Sequence, residues 1–455
     1  SPELTSNVLD NDNKLTFSLK NIHFSTANAL RRTIVSDIPV YGIQTQTEES
    51  NQCYVHANTS RFHNEIIKQR LSCIPVHYKV EKEKQIDKSK EPWDSDTPYA
   101  STVPMGEMAR YELEVEAKND DDHQLLWVTT EDFKLKDKET KEYLSQEEVR
   151  KIFPPNEITG RYIDFVRLLP RIGQTIPGEQ LKLSADFSVC TAKENGMFNA
   201  ATICTYHNTL DTSKRDAAWG IYLKEHTKEF ENKSEEEKEF EKQNFYQLQG
   251  QRFFVCNDKG EPNEFSFTVQ SVGIYESTEL VQTACDILID KLRFWMHQSD
   301  ADLLPIIPSD SIRQSGIYSS VTESSMPFSY DIVLENEDYT IGCILEHVLY
   351  DMYFEREPIM TFVGFKKYHP HDTYSIVRVA YKEDVPILTR KTHLQKAIAF
   401  LIKLFLLQPT EVHLWSNSSS NSLSSLTEVG FTFFFILSSQ NIVVRCSPVV
   451  IRNMA

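Results

Sequence analysis

Apolar residues recur at helical spacing early in the chain, within residues 24–76. Ala27, Leu30 and Ile34 follow one another at i, i+3 and i+7, which predicts one apolar stripe on a short amphipathic helix. Ser25 or Thr26 can cap its first turn, because a hydroxyl oxygen accepts a hydrogen bond from an otherwise unpaired amide.

A second helix is predicted over residues 62–72, after a short strand-like segment. Phe62 and Ile66, with Cys73 just beyond them, are expected to face inward. The charged residues around this helix are expected to face outward: Arg61, Glu65, Lys68 and Arg70. Periodicity alone favours an amphipathic pair of helices whose charges are solvated.

Alternation of apolar and polar residues predicts strands before, within and after a long β-rich region. Residues 12–20 alternate and lead into the first helix, and residues 264–272 alternate again. Between them, strands are predicted at 111–117, 125–129, 162–169 and 181–189. The Glu- and Lys-rich run 224–242 is interpreted as a solvated helix or flexible connector, in preference to a specific binding tail.

The pattern predicts three further helices with wide apolar faces in the last part of the chain. The first is capped by Ser277 and carries Leu280, Ala284, Ile287 and Leu288. After a Ser- and Pro-rich linker and a strand at 329–334, Thr340 can cap a helix that carries Ile341, Leu345 and Val348. Strands follow near 361–364 and 374–379, and an apolar helix over 392–407 carries Leu394, Ile398 and Leu401.

The C-terminal segment leaves two interpretations open. It contains a Ser/Asn tract at 416–425, followed by apolar runs at 431–437 and 442–444. The two runs can pair as a hairpin, or the segment can contact a neighbouring subunit. The residues do not decide between these alternatives.

Charge and cysteine usage narrow the class of protein. A net charge of -18 argues against a large surface lying directly on DNA or on an anionic membrane. No two of the eight cysteines have C-x-x-C spacing, so we expect reduced thiols of an intracellular protein and no zinc knuckle.

His369 and His371 flank a proline on a turn, where a structural role is favoured over a metal site. We see no signal peptide and no apolar run of membrane-spanning length, and expect a soluble protein without membrane contact.

An enzyme is not indicated by any motif. There is no P-loop, G-x-G-x-x-G, G-x-S-x-G or H-E-x-x-H pattern, and the acidic residues form no recognisable catalytic constellation. We therefore expect no catalytic residue and no cofactor in this chain.

Two separated segments resemble the alpha-motif of multisubunit RNA polymerases. ANALRRTIVSDIP, followed by NTSRFHNEIIKQRLSCIPV, is similar to the bacterial alpha subunit and, more closely, to the third-largest subunit of eukaryotic RNA polymerase II. WVTTEDFKL and FTVQSVGIYESTELVQTACDILIDKLRFW continue that resemblance. YDIVLENEDYTIGCILEHVLY, FVGFKKYHPHD and HLQKAIAFLIKLF resemble the eleventh subunit, although the family's D-H-T-L-G-N becomes DYTIGC from residue 338 onward.

The resemblance implies an α+β fold in which two alpha-motif dimerisation domains form an intramolecular pseudo-dimer. The first domain is expected to be split over 1–78 and 250–300, with a β-rich domain inserted at 79–249. A linker at 301–326, a small-subunit-like domain at 327–408 and a divergent tail at 409–455 follow. Eukaryotic relatives often hold the insert with zinc, but the cysteines for such a site are absent here, so no metal is expected.

The implied function is architectural, with catalysis carried by other subunits. By the match, Asn28, Arg31, Arg32, Glu65 and Arg70 contact the two largest polymerase subunits, and a small tenth-subunit-like protein is a further partner. A rival interpretation has Arg31 and Arg32 forming ion pairs within their own domain. The expected seam between the two halves comprises Leu30, Ile34, Leu280, Ala284, Ile287, Leu288, Ile341, Leu345, Val348, Leu394, Ile398 and Leu401.

The resemblance also suggests a source. Such fused pairs of subunits are typical of the RNA polymerases of large nucleocytoplasmic DNA viruses. A viral source implies location in the virion and the host cytoplasm. Otherwise the nucleus is expected. DNA would be met only through the complex, and no homo-oligomer is expected. The alternative is a stand-alone protein-binding module that keeps the fold without the polymerase.

Overall fold

Sixteen strands and nine α-helices lie in the part of the chain that the computed structural model describes, residues 3–9, 13–80, 107–230, 233–300, 306–309 and 326–416. The strands are β1 (Glu3–Leu9), β2 (Lys14–Lys20), β3 (Val40–Gly42), β4 (Cys53–Asn58), β5 (Tyr111–Lys118), β6 (Leu126–Thr129), β7 (Lys134–Asp137), β8 (Asp164–Leu168), β9 (Gln180–Asp186), β10 (Ser188–Cys190), β11 (Ala201–Asn208), β12 (Glu264–Ser271), β13 (Ile306–Pro308), β14 (Ser329–Glu335), β15 (Met360–Lys366) and β16 (Tyr374–Tyr381). The helices are α1 (Phe24–Ser36), α2 (Asn64–Ser72), α3 (Gln146–Ile152), α4 (Thr212–Glu225), α5 (Thr227–Phe230), α6 (Glu235–Leu248), α7 (Ser277–Asp300), α8 (Tyr339–Tyr350) and α9 (Ile387–Ser416).

Two four-stranded antiparallel sheets share one hydrophobic core. The first sheet has the order β1-β2-β12-β11 and the second the order β13-β14-β16-β15. Helix α1 contacts both α7, which follows the first sheet, and α8, which follows β14. The core continues without a break from Phe17 and Phe267, whose rings stack at 4.9 Å, to Phe405 on α9. Burial of this shared apolar surface holds the two sheet-and-helix halves together.

A second core lies within the β-rich part of the chain. The sheet β4-β9-β5-β7, the ribbon β6-β8 and helices α2 and α3 surround it. At its centre, the rings of Phe153 and Phe165 meet that of Phe133 edge-on. The short β3-β10 ribbon divides its neighbouring side chains between the two cores: Val40 and Cys190 face the shared core, whereas Tyr41 and Val189 face the second.

Helices α4, α5 and α6 form a small module with its own aromatic cluster. The buried Trp219 of α4 lies 5.3 Å from the ring of Phe245 on α6 and 5.8 Å from that of Phe230 on α5. Three glutamates stand in the first turn of α6, where they complement the helix dipole. The predicted solvated run 224–242 therefore lies mostly on helices, with residues 231–232 outside the described part.

The fold is α+β, as the sequence predicts, but the cores do not divide at residue 79. Tyr41 and Ile67 lie in the second core, and β4 pairs with β9. Conversely, β11 lies within the expected insert and yet pairs with β12 of the first sheet. The sequence pattern predicted β9 and β12 but not their pairing with β4 and β11, because pairing depends on residues far apart in sequence.

Several local expectations were wrong. Helix α2 buries Ile67 and Leu71, while Phe62, Ile66 and Cys73 are exposed, so the inward face was misassigned. The expected cap of α1 was also wrong: the side chain of His23, not that of Ser25 or Thr26, accepts a hydrogen bond from the first turn. The cap of α8 differs as well and is described with Arg32 below.

The linker and the tail lie mostly outside the described residues. Within the predicted linker 301–326, residues 306–308 form β13, which pairs with β14. The remainder of the linker, apart from Ser309 and Met326, is outside the described part. So is the tail after residue 416, including the proposed hairpin of 431–437 and 442–444.

Candidate assembly interface

Helix α1 presents a mixed apolar and polar stripe on its accessible side. Phe24, Asn28, Arg31 and Val35 follow at i, i+4, i+7 and i+11, so they share one face. Phe24 and Val35 are 58% and 37% exposed, and Asn28 and Arg31 between them are partly exposed. The opposite face is buried through Ala27, Leu30 and Ile34, as the sequence predicts. We call these four accessible residues the α1 stripe.

The guanidinium of Arg31 is held in place from its own helix. Its Nε and Nη2 donate hydrogen bonds to Oδ1 of Asn28 at 3.1 and 3.0 Å. The backbone carbonyl of Arg31 accepts a hydrogen bond from the thiol of Cys204 on β11, with 3.8 Å between Sγ and O. Arg31 is thus oriented before any partner binds, which lowers the entropy lost on binding.

Arg32 contacts the other half of the chain instead. Its Nη2 donates to Oδ2 of Asp338 at 2.6 Å, and its Nε donates to the hydroxyl of Thr340 at 2.9 Å. Asp338, rather than Thr340, caps α8, because its side chain accepts from the Thr340 amide. Burial alone would raise the pKa of Asp338, but the hydrogen bonds from Thr340 and the charge of Arg32 hold it at about 2.

A buried charge cluster lies behind this pair. The ammonium of Lys291 on α7 lies 2.5 Å from a carboxylate oxygen of Asp37, which follows α1, and both side chains are largely buried. Burial raises the pKa of the nearby Glu337, an effect that Lys291 opposes. Burial also acts to lower the pKa of Lys291, but Glu337 and Asp37 outweigh it and raise that pKa above its ordinary value. We call Arg32, Asp37, Lys291, Glu337 and Asp338 the junction cluster.

Helix α2 exposes Glu65 and uses Arg70 as an anchor. The Nε of Arg70 donates to the carbonyl of Phe165 at 2.8 Å, and its Nη2 donates to that of Asp164 at 2.9 Å. The guanidinium carbon also lies 5.6 Å from the ring centre of Phe62. Arg70 therefore fixes α2 to β8, and Phe62 and Ile66 are accessible apolar side chains in this region, 37% and 40% exposed.

The twelve seam residues named from the sequence are all buried in the core that the two sheets share. Of the five contact residues, Arg32 is engaged within the chain, Arg70 is anchored to β8, and Asn28, Arg31 and Glu65 remain accessible. The rival interpretation, ion pairs of Arg31 and Arg32 within their own domain, describes neither residue: Arg31 donates to Asn28 of its own helix, and Arg32 pairs with Asp338 in the other half of the chain.

A family model decides the assignment. The model described as RNA polymerase Rpb3/Rpb11 dimerisation domain matches residues 16–292, more than half of the chain. The chain belongs to this family. It is also similar to a DNA-directed RNA polymerase subunit Rpo3 of Pyrococcus furiosus, with 34% identity over 71 residues, or 16% of this chain. The chain spans about a quarter of the length of that curated relative, 24%.

The match covers the α1 stripe, α2 and the larger part of α7, which continues to residue 300. Among the described residues, no group of three or more His, Cys, Asp and Glu could hold a metal ion. No helix in that part of the chain is both long and apolar enough to cross a membrane.

Sequence reasoning missed the junction cluster except for Arg32. Lys291 lies on a helix that is otherwise rich in buried apolar residues, and a lysine there is a signal for a paired charge. Asp338 precedes Thr340 by two residues, which is the spacing of an aspartate N-cap. The pairing of Lys291 with Asp37 has no local signal, because 254 residues separate them.

Proposed function

We propose that this chain is a non-catalytic assembly-platform subunit of a multisubunit DNA-directed RNA polymerase. Membership of the Rpb3/Rpb11 family supports the class of complex. The observation that carries the proposal is the α1 stripe, where the oriented Arg31 stands between exposed Phe24 and Val35. Desolvated arginines flanked by apolar side chains are frequent centres of binding energy at protein interfaces.

We further propose that the two halves form a pseudo-dimer within one chain. Each half offers an antiparallel sheet and apolar helices, and α1 packs against α7 of its own half and α8 of the other. Their common core supports this arrangement. Joining the halves in one chain raises the effective concentration of one for the other to the millimolar range or above.

The proposed partners are the two largest polymerase subunits and a small tenth-subunit-like protein. The partly exposed guanidinium of Arg31 and the exposed Glu65 would make the polar contacts to the large subunits. DNA would be contacted through the other subunits, since a net charge of -18 disfavours direct phosphate binding. The viral source, with its location in the virion and host cytoplasm, rests on the resemblance of the fused arrangement alone.

Co-purification tests the platform role. The tagged chain is isolated from its native source as wild type and as Arg31→Ala, and bound proteins are identified by mass spectrometry. We expect two large polymerase subunits with the wild type and at least about tenfold less of them with Arg31→Ala, as for loss of an interface arginine. Arg161→Ala, at an exposed arginine of the β-rich part, is the matched control and should recover wild-type amounts.

The outcomes separate the two candidate functions. Recovery of other proteins without large polymerase subunits would favour a stand-alone binding module. Equal recovery with Arg31→Ala and wild type would leave the platform role intact but remove Arg31 from the contact.

A further inference from the structure

Helices α1 and α8 run antiparallel, and a polar contact closes each end of their seam. At one end, His23 before α1 stacks on His347 of α8, with ring centres 3.5 Å apart and planes within 6°. At the other end, Arg32 meets Asp338 and Thr340. Buried apolar residues such as Leu30 fill the space between the two ends. The seam thus combines buried apolar contacts with an imidazole pair at one end and an ion pair at the other.

Protonation of the imidazole rings is unfavourable at the His23–His347 end of the seam. The Nδ1 of His23 accepts from the Ser25 amide at 3.3 Å and lies 2.7 Å from the Ser25 hydroxyl, so it supplies the helix cap as a lone pair. An imidazolium there would lose this acceptor and would face the positive end of the α1 dipole. Two imidazolium rings at the observed separation would also repel each other strongly.

The groups that surround the histidine pair are unevenly distributed. His23 is adjacent to Phe24, at 4.0 Å between ring centres, and to Ser25. His347 faces Asp351 and Glu355 of the segment after α8, and Glu261 and Lys259 of the turn before β12. Lys259 is itself ion-paired with Glu355. Burial lowers the pKa of His347, an effect that these three carboxylates oppose. Among the described residues, no carboxylate acts on His23 in the same way.

We propose that the α1–α8 seam is an acid-sensitive joint, which opens from its His23–His347 end while its Arg32–Asp338 end stays closed. This inference concerns the chain itself and does not depend on the polymerase assignment. Burial, followed by the neighbouring His347, lowers the pKa of His23 from 6.5 to about 3. Between pH 6.5 and about pH 3, His23 is therefore protonated in the opened state and neutral in the closed state. The closed state loses stability relative to the opened state as the pH falls through this range. Asp338, with a pKa of about 2, remains charged throughout this range.

Hydrogen–deuterium exchange with mass spectrometry tests the joint on the full chain. Peptides over 24–30 and 338–345 report its two ends, since the Thr26 and Ala27 amides donate to the His23 carbonyl and the Thr340 amide donates to Asp338. Between pH 7 and pH 5, after correction for the intrinsic rate, we expect exchange at 24–30 to rise at least about tenfold relative to 338–345.

Two variants and a control make the test decisive. His23→Asn keeps a preferred capping side chain and removes the proton site, so the relative rise should disappear. His347→Gln removes the stacked neighbour and should reduce the rise, which provides a second reading if the first variant folds poorly. His123→Asn, at an exposed histidine, should behave as wild type. Equal rises at both ends of the wild type, or an unchanged rise in the folded His23 and His347 variants, would overturn the proposal.

Discussion

Arg31 and Arg32 are adjacent in sequence, but their side chains leave α1 roughly 100° apart, the rotation per residue of an α-helix. Arg31 therefore lies on the accessible stripe beside Asn28, whereas Arg32 reaches Asp338 across the seam. The resemblance assigned both residues to one contact face, and a linear motif does not distinguish them. The residues that surround each side chain in the folded chain distinguish Arg31 from Arg32.

The buried pair of Lys291 and Asp37 gives a prediction at this scale. Lys291→Met leaves the carboxylate of Asp37 buried without its cation, so we expect the free energy of unfolding to fall by roughly 3–5 kcal/mol. Urea denaturation followed by circular dichroism measures the loss.

Matched variants separate charge burial from loss of a side chain. The double variant Lys291→Met/Asp37→Leu should recover much of the stability, because no unpaired charge remains at these two positions. Lys118→Met, at the exposed ion pair with Asp120, should change stability by less than about 1 kcal/mol. A loss of that small size for Lys291→Met would contradict the role assigned to the junction cluster.

At the scale of elements, the packing of α8 on β15 depends on one glycine. An ideal Cβ placed on Gly342 would lie 2.0 Å from Cε2 of Phe365, far inside the closest contact of real carbon atoms. Phe365 is also held edge-on by Tyr339, with 5.2 Å between ring centres. The helix can approach the strand this closely only where residue 342 has no side chain.

Substituting this glycine should therefore destabilise the chain. We expect Gly342→Ala to lower the free energy of unfolding by about 1–3 kcal/mol, as for overpacked cores. Gly220→Ala is the control, because Gly220 lies within α4 and has open space around it. There alanine should stabilise the helix by up to about 1 kcal/mol. Thermal unfolding that shifts in the same direction for both variants would refute the packing argument.

Elements with a strong periodic pattern could be predicted from the sequence, and their partners could not. The apolar stripe of α1 and the strands β5, β12, β14 and β16 lie where the pattern places them. β13 was missed, because three residues of a Ser- and Pro-rich stretch form a strand only by pairing with β14. The inward face of α2 was misassigned, because Ile66 and Ile67 are both apolar and periodicity over nine residues does not decide between them.

At the scale of the whole molecule, the α+β class and the alpha-like family followed from the sequence, whereas the division into cores did not. β11 and β12 are paired although about 60 residues separate them in sequence, and β4 joins a sheet of the β-rich part. Which strands pair depends on shape and burial summed over the whole molecule, and no short segment of sequence contains that information. The same holds for the candidate interface, where only the structure separates the accessible Arg31 from the engaged Arg32.

The copy number of this chain in the purified assembly tests the central claim most directly. Native mass spectrometry of the co-purified complex measures it. If both halves of the alpha-like dimer lie in one chain, each assembly holds one copy together with one copy of each large subunit and no separate eleventh-subunit-like protein. Two copies per assembly, or a separate small dimerisation partner, would contradict the pseudo-dimer and show that this chain supplies only one half.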